Sequence, residues 1–171
     1  MVLPAGIDGF LHPLVTPGHL IALISLGLVA GPTTLPAITA MVATFALGLT
    51  IGLGALACGA GETPAGDVLL ASAALCGLTA AKGVRAPVAL AAPAALASGV
   101  ALGLDSPPEA IRLGEAVAML IGTACGGIAA LALIALLAFT AAGRWQGIVL
   151  RVAGSWIAAI AIVALAVRWA T

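Results

Sequence analysis

The chain has 171 residues, of which 63% are hydrophobic and only 7% are charged, and its mean hydropathy is +1.29. Such a composition lies far outside the range of water-soluble domains and predicts a protein embedded in the lipid bilayer. Six basic and six acidic side chains cancel, and no basic stripe with interleaved aromatic residues occurs, so nucleic acid is excluded as a partner. We expect a single transmembrane helical domain over residues 1–171.

Six apolar segments, bounded by Gly, Pro or charged residues, follow one another along the chain. They span residues 11–30, 35–58, 68–81, 87–104, 116–142 and 148–167. Most are long enough to cross about 30 Å of hydrocarbon as helices, although the third is short. The alternation of apolar and polar residues that is typical of transmembrane strands is missing. We therefore predict an all-α integral membrane bundle of about six transmembrane helices.

The loop charges predict an orientation if the segments cross the membrane alternately. All six acidic residues fall on one side of the membrane, which has fewer cations than the other. The cations divide into Lys82, Arg85, Arg144 and Arg151 on one side and Arg112 and Arg168 on the other. Because cytoplasmic loops carry the excess of Lys and Arg, both termini are predicted to face outward.

Pairs of glycines spaced four residues apart occur in three of the segments. Each pair falls on one helix face, where small residues let a neighbouring helix approach closely. The pairs are Gly48 and Gly52, Gly99 and Gly103, and Gly122 and Gly126. They predict close helix packing and by themselves indicate no function.

A polar cluster that contains two histidines precedes the first long apolar run. Thr16 followed by Pro17 predicts a helix start, with the threonine hydroxyl as the cap. His19 would then lie in the first turn and His12 just before it. Two neighbouring neutral imidazoles can bind a borderline divalent cation such as nickel, cobalt, copper or zinc. In the alternative interpretation, both rings lie at the membrane interface and bond water and carbonyl groups.

A second polar cluster closes the fourth segment. Ser98, Leu102 and Asp105 are spaced i, i+4, i+7 and would form one stripe on a helix. Asp105 is a candidate site residue, or alternatively an ordinary loop acid. Both clusters fall at the outward ends of their segments, so we expect them to converge in a shared pocket. Asp8 and Glu109 lie on the same side and could add carboxylates to it, but the pattern favours the alternative that they are ordinary solvated loop charges.

These two clusters resemble motifs of the HupE/UreJ family, membrane proteins associated with nickel supply to hydrogenase and urease. The first helix of that family carries a pattern close to H-P-x-x-G-x-D-H, where this chain has His12, Pro13, Thr16, Gly18 and His19. The fourth helix carries a pattern close to H-G-x-A-H-G-x-E, where this chain has Ser98, Gly99, Ala101, Leu102, Gly103 and Asp105. The resemblance extends over nearly the whole chain.

The resemblance implies a metal site made of His12, His19 and Asp105. The acid of the first motif is replaced by Gly18, and both histidines of the second are replaced by Ser98 and Leu102. Two imidazoles and one carboxylate still suit a divalent transition metal. Binding should be weaker than with the full ligand set. No firm cofactor is expected, only a transient nickel or cobalt ion.

Three classes of function are compared. The resemblance implies a permease for nickel or cobalt in a bacterial-type inner membrane, which takes up the ion from the outer face. The alternative is a non-transporting structural or accessory subunit of a larger membrane protein complex. The replacement of three ligands of the family pattern supports this alternative. An enzyme is disfavoured, because Ser98 has no histidine nearby in sequence and no nucleophile-elbow or zinc-protease pattern occurs. The enzymatic alternative that stays open is His19 as a base oriented by Asp105.

Overall fold

A computed structural model describes residues 4–60, 64–83, 88–109, 112–141 and 146–170 of the chain. Its helices are α1 (Ala5–Val15), α2 (Pro17–Ala30), α3 (Leu35–Ala57), α4 (Ala65–Lys82), α5 (Val88–Leu104), α6 (Leu113–Thr140) and α7 (Gln146–Ala170). The described residues contain helices and no strands, so the all-α prediction is confirmed. Outside the described residues lie the predicted limits Pro87 and Ala142 and the charged residues Glu62, Arg85 and Arg144.

The first predicted segment, residues 11–30, is two helices rather than one. Thr16 is extended, with φ −85° and ψ 112°, and α1 and α2 are bent by 68° across it. Pro17 begins α2 as predicted. One expectation was wrong, because the Thr16 side chain makes no capping hydrogen bond. His12 lies before α2, as predicted, but within the last turn of an additional helix, α1.

Helices α1 and α2 both pack against α6. Later residues of the α1–α2 pair contact later residues of α6. Residues 6–10 of α1 approach residues 118–126, whereas residues 27–31 of α2 approach residues 134–139. A re-entrant loop would turn back toward the membrane face at which it entered. We conclude that α1 and α2 form one broken span that runs parallel to α6.

The α3–α5 contact is made by the two predicted glycine pairs. A Cβ on Gly48 or Gly52 would overlap the backbone of α5, and a Cβ on Gly99 or Gly103 would overlap that of α3. The contact advances in step along both helices, which are therefore parallel. The third pair, Gly122 and Gly126, faces α1 in the same way. All three predicted pairs thus lie at helix contacts.

Helices α4 and α7 run antiparallel. Gly77 and Gly154 meet within the contact. At one end Arg168 Nε lies 2.8 Å from Asp67 Oδ1, and at the other Arg151 Nη2 donates to Lys82 O at 2.8 Å. Helix α4, with 18 residues, is longer than the predicted segment 68–81, because it includes Asp67 in its first turn. A carboxylate there is favoured by the helix dipole.

These directions agree with a chain that crosses the membrane six times. Helices α3, α4, α6 and α7 are each long and apolar enough to span a membrane, and the bent pair makes a fifth span. Helix α5 is a shorter apolar helix. It lies parallel to α3, as the fourth and second spans of an alternating chain must. By length and composition, the described helices give four spans, or five with the bent pair, and a sixth span at α5 stays a prediction.

Helix α2 lies at the centre of the bundle and contacts α4, α5, α6 and α7. Its Leu23 and Leu26 belong to one buried apolar core. Other fully buried core side chains are Phe45, Leu49, Leu69, Leu102 and Leu131. We call the end of the bundle at which α2 begins and α5 ends the imidazole end.

Candidate functional site

His19 and Asp105 meet at the imidazole end. His19 Nε2 lies 3.1 Å from Asp105 Oδ2, although 86 positions separate the two residues in sequence. The His19 side chain is fully buried, whereas that of Asp105 is 42% exposed. An ionised carboxylate can only accept hydrogen bonds. His19 therefore carries a proton on Nε2, and this N–H donates a hydrogen bond to Asp105 Oδ2.

His12 lies beside His19 across the break between α1 and α2. The ring centroids are 5.2 Å apart, and the ring planes are inclined by 70°. His12 Nε2 and His19 Nδ1 are both buried and have no hydrogen-bond partner. Leaving a buried polar atom unpaired costs about 1–3 kcal/mol. When each carries its lone pair, two such nitrogens on adjacent rings can bind a metal cation.

The three predicted site residues therefore form one continuous cluster: His12 against His19, and His19 bonded to Asp105. Within the described parts of the chain, however, no set of three or more His, Cys, Asp or Glu side chains is arranged to hold a metal ion. The cluster consists of two imidazoles, one of which is hydrogen-bonded to a carboxylate. The assignment of all three residues as ligands stays a prediction.

Asp105 owes its position to the way α5 ends. Its backbone N–H donates to Ala101 O at 2.9 Å, which continues the helical bonding by one residue. The buried Ser106 hydroxyl donates to Leu102 O at 2.7 Å and satisfies one of the last helical carbonyls. Prolines follow directly at positions 107 and 108 and cannot continue the helix. The carboxylate is thus held where α5 stops.

The position of His12 depends on a contact that was not predicted from the sequence. Pro13 lies inside α1 and lacks the N–H that would bond to Gly9 O. The buried Thr123 hydroxyl of α6 donates to this carbonyl at 3.2 Å and replaces the missing donor. A proline inside a helix signals such a free carbonyl four residues earlier, but not which side chain will satisfy it.

Ser98 and Leu102, at the two positions of the family histidines, lie inside the bundle. Ser98 Oγ is 2.8 Å from Ser72 Oγ of α4, and the Ser72 hydroxyl donates to Leu69 O at 2.9 Å. Ser98 therefore donates to Ser72, a partner that the sequence analysis did not identify. Leu102 is fully buried in the apolar core. Neither side chain offers a metal ligand of the imidazole type.

The electrostatic surroundings of the imidazoles are acidic. The carboxylates of Asp8, Asp105 and Glu109 all act on the His12 ring. Such a cluster raises the local concentration of cations and disfavours anions. A role of Asp8 and Glu109 in a shared pocket stays a prediction.

Together these features define a multi-pass α-helical membrane protein in which two histidines and an aspartate lie together near the bend between α1 and α2. The model of the family described as HupE / UreJ protein matches residues 5–164, nearly the whole chain. The chain belongs to the HupE / UreJ family, as its motifs predict. No curated protein and no solved structure matches it.

Proposed function

We propose that the protein is a permease that admits a divalent transition-metal cation, nickel or cobalt, through a bacterial-type inner membrane. Its family is associated with nickel and cobalt transport and is a transporter and accessory family rather than an enzyme family. One observation carries the proposal: the buried, unpartnered nitrogens of His12 and His19 flank a break in a membrane span. Discontinuous membrane helices with ion sites at the break are typical of secondary transporters.

The chemistry of the site suits this cargo. Imidazole nitrogens bind nickel, cobalt and related borderline cations, whereas magnesium and calcium prefer oxygen ligands. The carboxylates of Asp8, Asp105 and Glu109 would attract the hydrated ion, and the two rings would replace part of its hydration shell. The site needs no covalent step and no nucleotide.

The proposed direction of transport is inward from the imidazole end. Both termini face outward in this orientation, because four of the six cations belong to the opposite side by alternation and all six acids belong to the imidazole end. A membrane potential, negative inside, contributes about 2.3 kcal/mol per charge per 100 mV, or roughly twice that for a dication. The potential alone can therefore drive accumulation.

A second candidate is a non-transporting accessory subunit of a larger membrane protein complex. Leu102 favours it, because this apolar side chain is fully buried one turn inward from Asp105, at a position where the family pattern has histidine. Ser98 is likewise committed to a hydrogen bond with Ser72. In this alternative the fold is retained for contacts with other membrane subunits, and the ion does not cross.

Transport by the purified protein in liposomes distinguishes the two. With an inside-negative potential, the wild type should accumulate radioactive nickel or cobalt, and the double variant His12→Ala/His19→Ala should not. Cys58→Ser is the matched control, because this exposed thiol ends α3 and lies outside the cluster. A wild type that neither binds nor accumulates either ion would support the accessory role. Equal uptake by the wild type and the double variant would contradict the proposed site.

A further inference from the structure

We infer that Asp105 is a positioning residue rather than a metal ligand, and that His19 Nδ1 and His12 Nε2 are the two protein atoms that bind the cation. The inference rests on the proposed function and narrows the ligand set that the family resemblance implies. It follows from three observations: the proton on His19 Nε2, the two unpartnered nitrogens, and the distance between the rings.

The first observation concerns the tautomer of His19. A neutral imidazole has one N–H and one lone pair, and the bond to Asp105 places the N–H on Nε2. The lone pair must therefore be on Nδ1. Metal-binding histidines commonly donate their other nitrogen to a carboxylate, which fixes the tautomer and the ring orientation. Asp105 stands in this relation to His19.

The second observation concerns the ring nitrogens that have no hydrogen-bond partner. His19 Nδ1 is buried and unpartnered, and so is His12 Nε2 on the neighbouring ring. Turning the His19 ring to present Nε2 instead would break its bond to Asp105 inside a fully buried environment. The nitrogen that is free to bind is thus the one that does not face the carboxylate.

The third observation is the distance between the two imidazoles. Metal–nitrogen bonds of about 2.0–2.1 Å, at a near-tetrahedral angle, place the centroids of two ligating imidazoles about 5 Å apart. The observed separation of the His12 and His19 centroids is 5.2 Å. This separation is compatible with one ion bound between the rings, and it also lies in the usual range for two rings in edge-to-face contact.

A site of two imidazoles takes a particular kind of ion. The remaining coordination positions are left to water, so the cation enters partly hydrated. Such a site selects borderline transition-metal ions over magnesium and calcium, which require oxygen ligands. Binding through two protein atoms is also readily reversed, as conduction requires. The missing ligands of the family pattern would then make this site more labile without destroying it.

Nitrogen-15 NMR of the full-length protein tests the inference, because the chain contains only two histidines. Histidine labelling gives four ring-nitrogen signals, which His12→Gln assigns. The metal-free protein should show His19 protonated at Nε2. With cadmium-113 as the probe ion, coupling should appear at His19 Nδ1 and His12 Nε2.

Variants at position 105 separate positioning from ligation. Asp105→Ala should give a mixture of His19 tautomers and weaken cadmium and cobalt binding by about 10- to 100-fold, the usual effect of losing such a partner. Asp105→Asn retains an oxygen that accepts from Nε2, so it should keep the tautomer and part of the affinity. Asp67→Asn, a carboxylate at the same end, should change neither.

Two outcomes would overturn the inference in different ways. Protonation of His19 at Nδ1 without metal, or cadmium coupling at His19 Nε2, would show that Asp105 does not position the ring, and the proposed permease would remain. Wild-type protein that binds none of cadmium, cobalt and nickel would remove the proposed function, and the inference would fall with it.

Discussion

His19 donates a hydrogen bond to Asp105 across 3.1 Å, and this contact joins the start of α2 to the end of α5. One partner is fully buried and the other is 42% exposed. In the proposed function, a cation that approaches the imidazoles from solvent would meet a carboxylate that is already hydrogen-bonded to one of them. The structure thereby links the acidic exterior of the imidazole end to the interior of the bundle.

Leu102→His should strengthen metal binding. Leu102 is fully buried one turn before Asp105 on the same helix stripe, and the bond from His19 shows that this stripe faces α2. A third imidazole should tighten cobalt binding by about tenfold, which corresponds to about 1.4 kcal/mol. Calorimetric titration of the purified protein measures the change. Leu104→His, in the groove between α4 and α5, is the control and should give no gain; no gain at position 102 would show that the stripe does not reach the ion.

Thr123→Val should destabilise the protein and weaken metal binding. Valine has nearly the same shape but cannot donate to Gly9 O, so this buried carbonyl would be left without a partner, at a cost of about 1–3 kcal/mol. Binding should fall because α1 carries His12. Thermal unfolding and cobalt titration measure the two effects, and Thr123→Ser should restore both. Unchanged unfolding in the valine variant would refute the role of this hydroxyl.

Two alanine substitutions on α3 should differ in their effects on stability. A Cβ at Gly52 would overlap Val100 O of α5, whereas Gly54 has no neighbouring atom within 4 Å. Gly52→Ala should cost about 1–3 kcal/mol through overpacking. Gly54→Ala should be neutral or stabilising by up to about 1 kcal/mol, because alanine favours the helix. Unfolding of both variants in the same detergent gives the comparison; equal effects would argue against the close α3–α5 contact.

Asp67→Asn should have little effect on stability and none on metal binding. Asp67 pairs with Arg168, and its Oδ2 also accepts from Trp169 Nε1 at 3.1 Å. The Arg168 side chain is 54% exposed, and exposed ion pairs contribute about 0–1 kcal/mol. Calorimetric titration with cobalt should match the wild type. A large loss of affinity would mean that the acids of this end act together and that Asp105 has no special role.

Several features could be predicted from the sequence, because successive spans cross the membrane in alternating directions. The start of the first span and the end of the fourth must share one membrane face, which is why His19 and Asp105 were expected to meet. Glycines four residues apart marked the faces on which α3 and α5 touch, since only small residues allow so close an approach. These inferences need only periodicity and the direction of the chain.

The bend at Thr16 and the helix before it were not predictable in the same way. Residues 5–10 include an acid and two glycines, which weaken a helix judged by local pattern alone. Those glycines allow α1 to pack on α6, so the helix depends on a tertiary contact. The bonds from Thr123 to Gly9 and from Ser98 to Ser72 likewise join residues that only the folded chain brings together.

Anomalous diffraction from crystals grown with cobalt or nickel tests the central claim most directly. At the absorption edge of the metal, we predict a peak within about 2.0–2.1 Å of both His12 Nε2 and His19 Nδ1. The peak should be lost in the His12→Ala/His19→Ala variant. A metal peak elsewhere, for example at Cys58 or Asp67, or no peak near the two imidazoles in the wild type, would contradict the account.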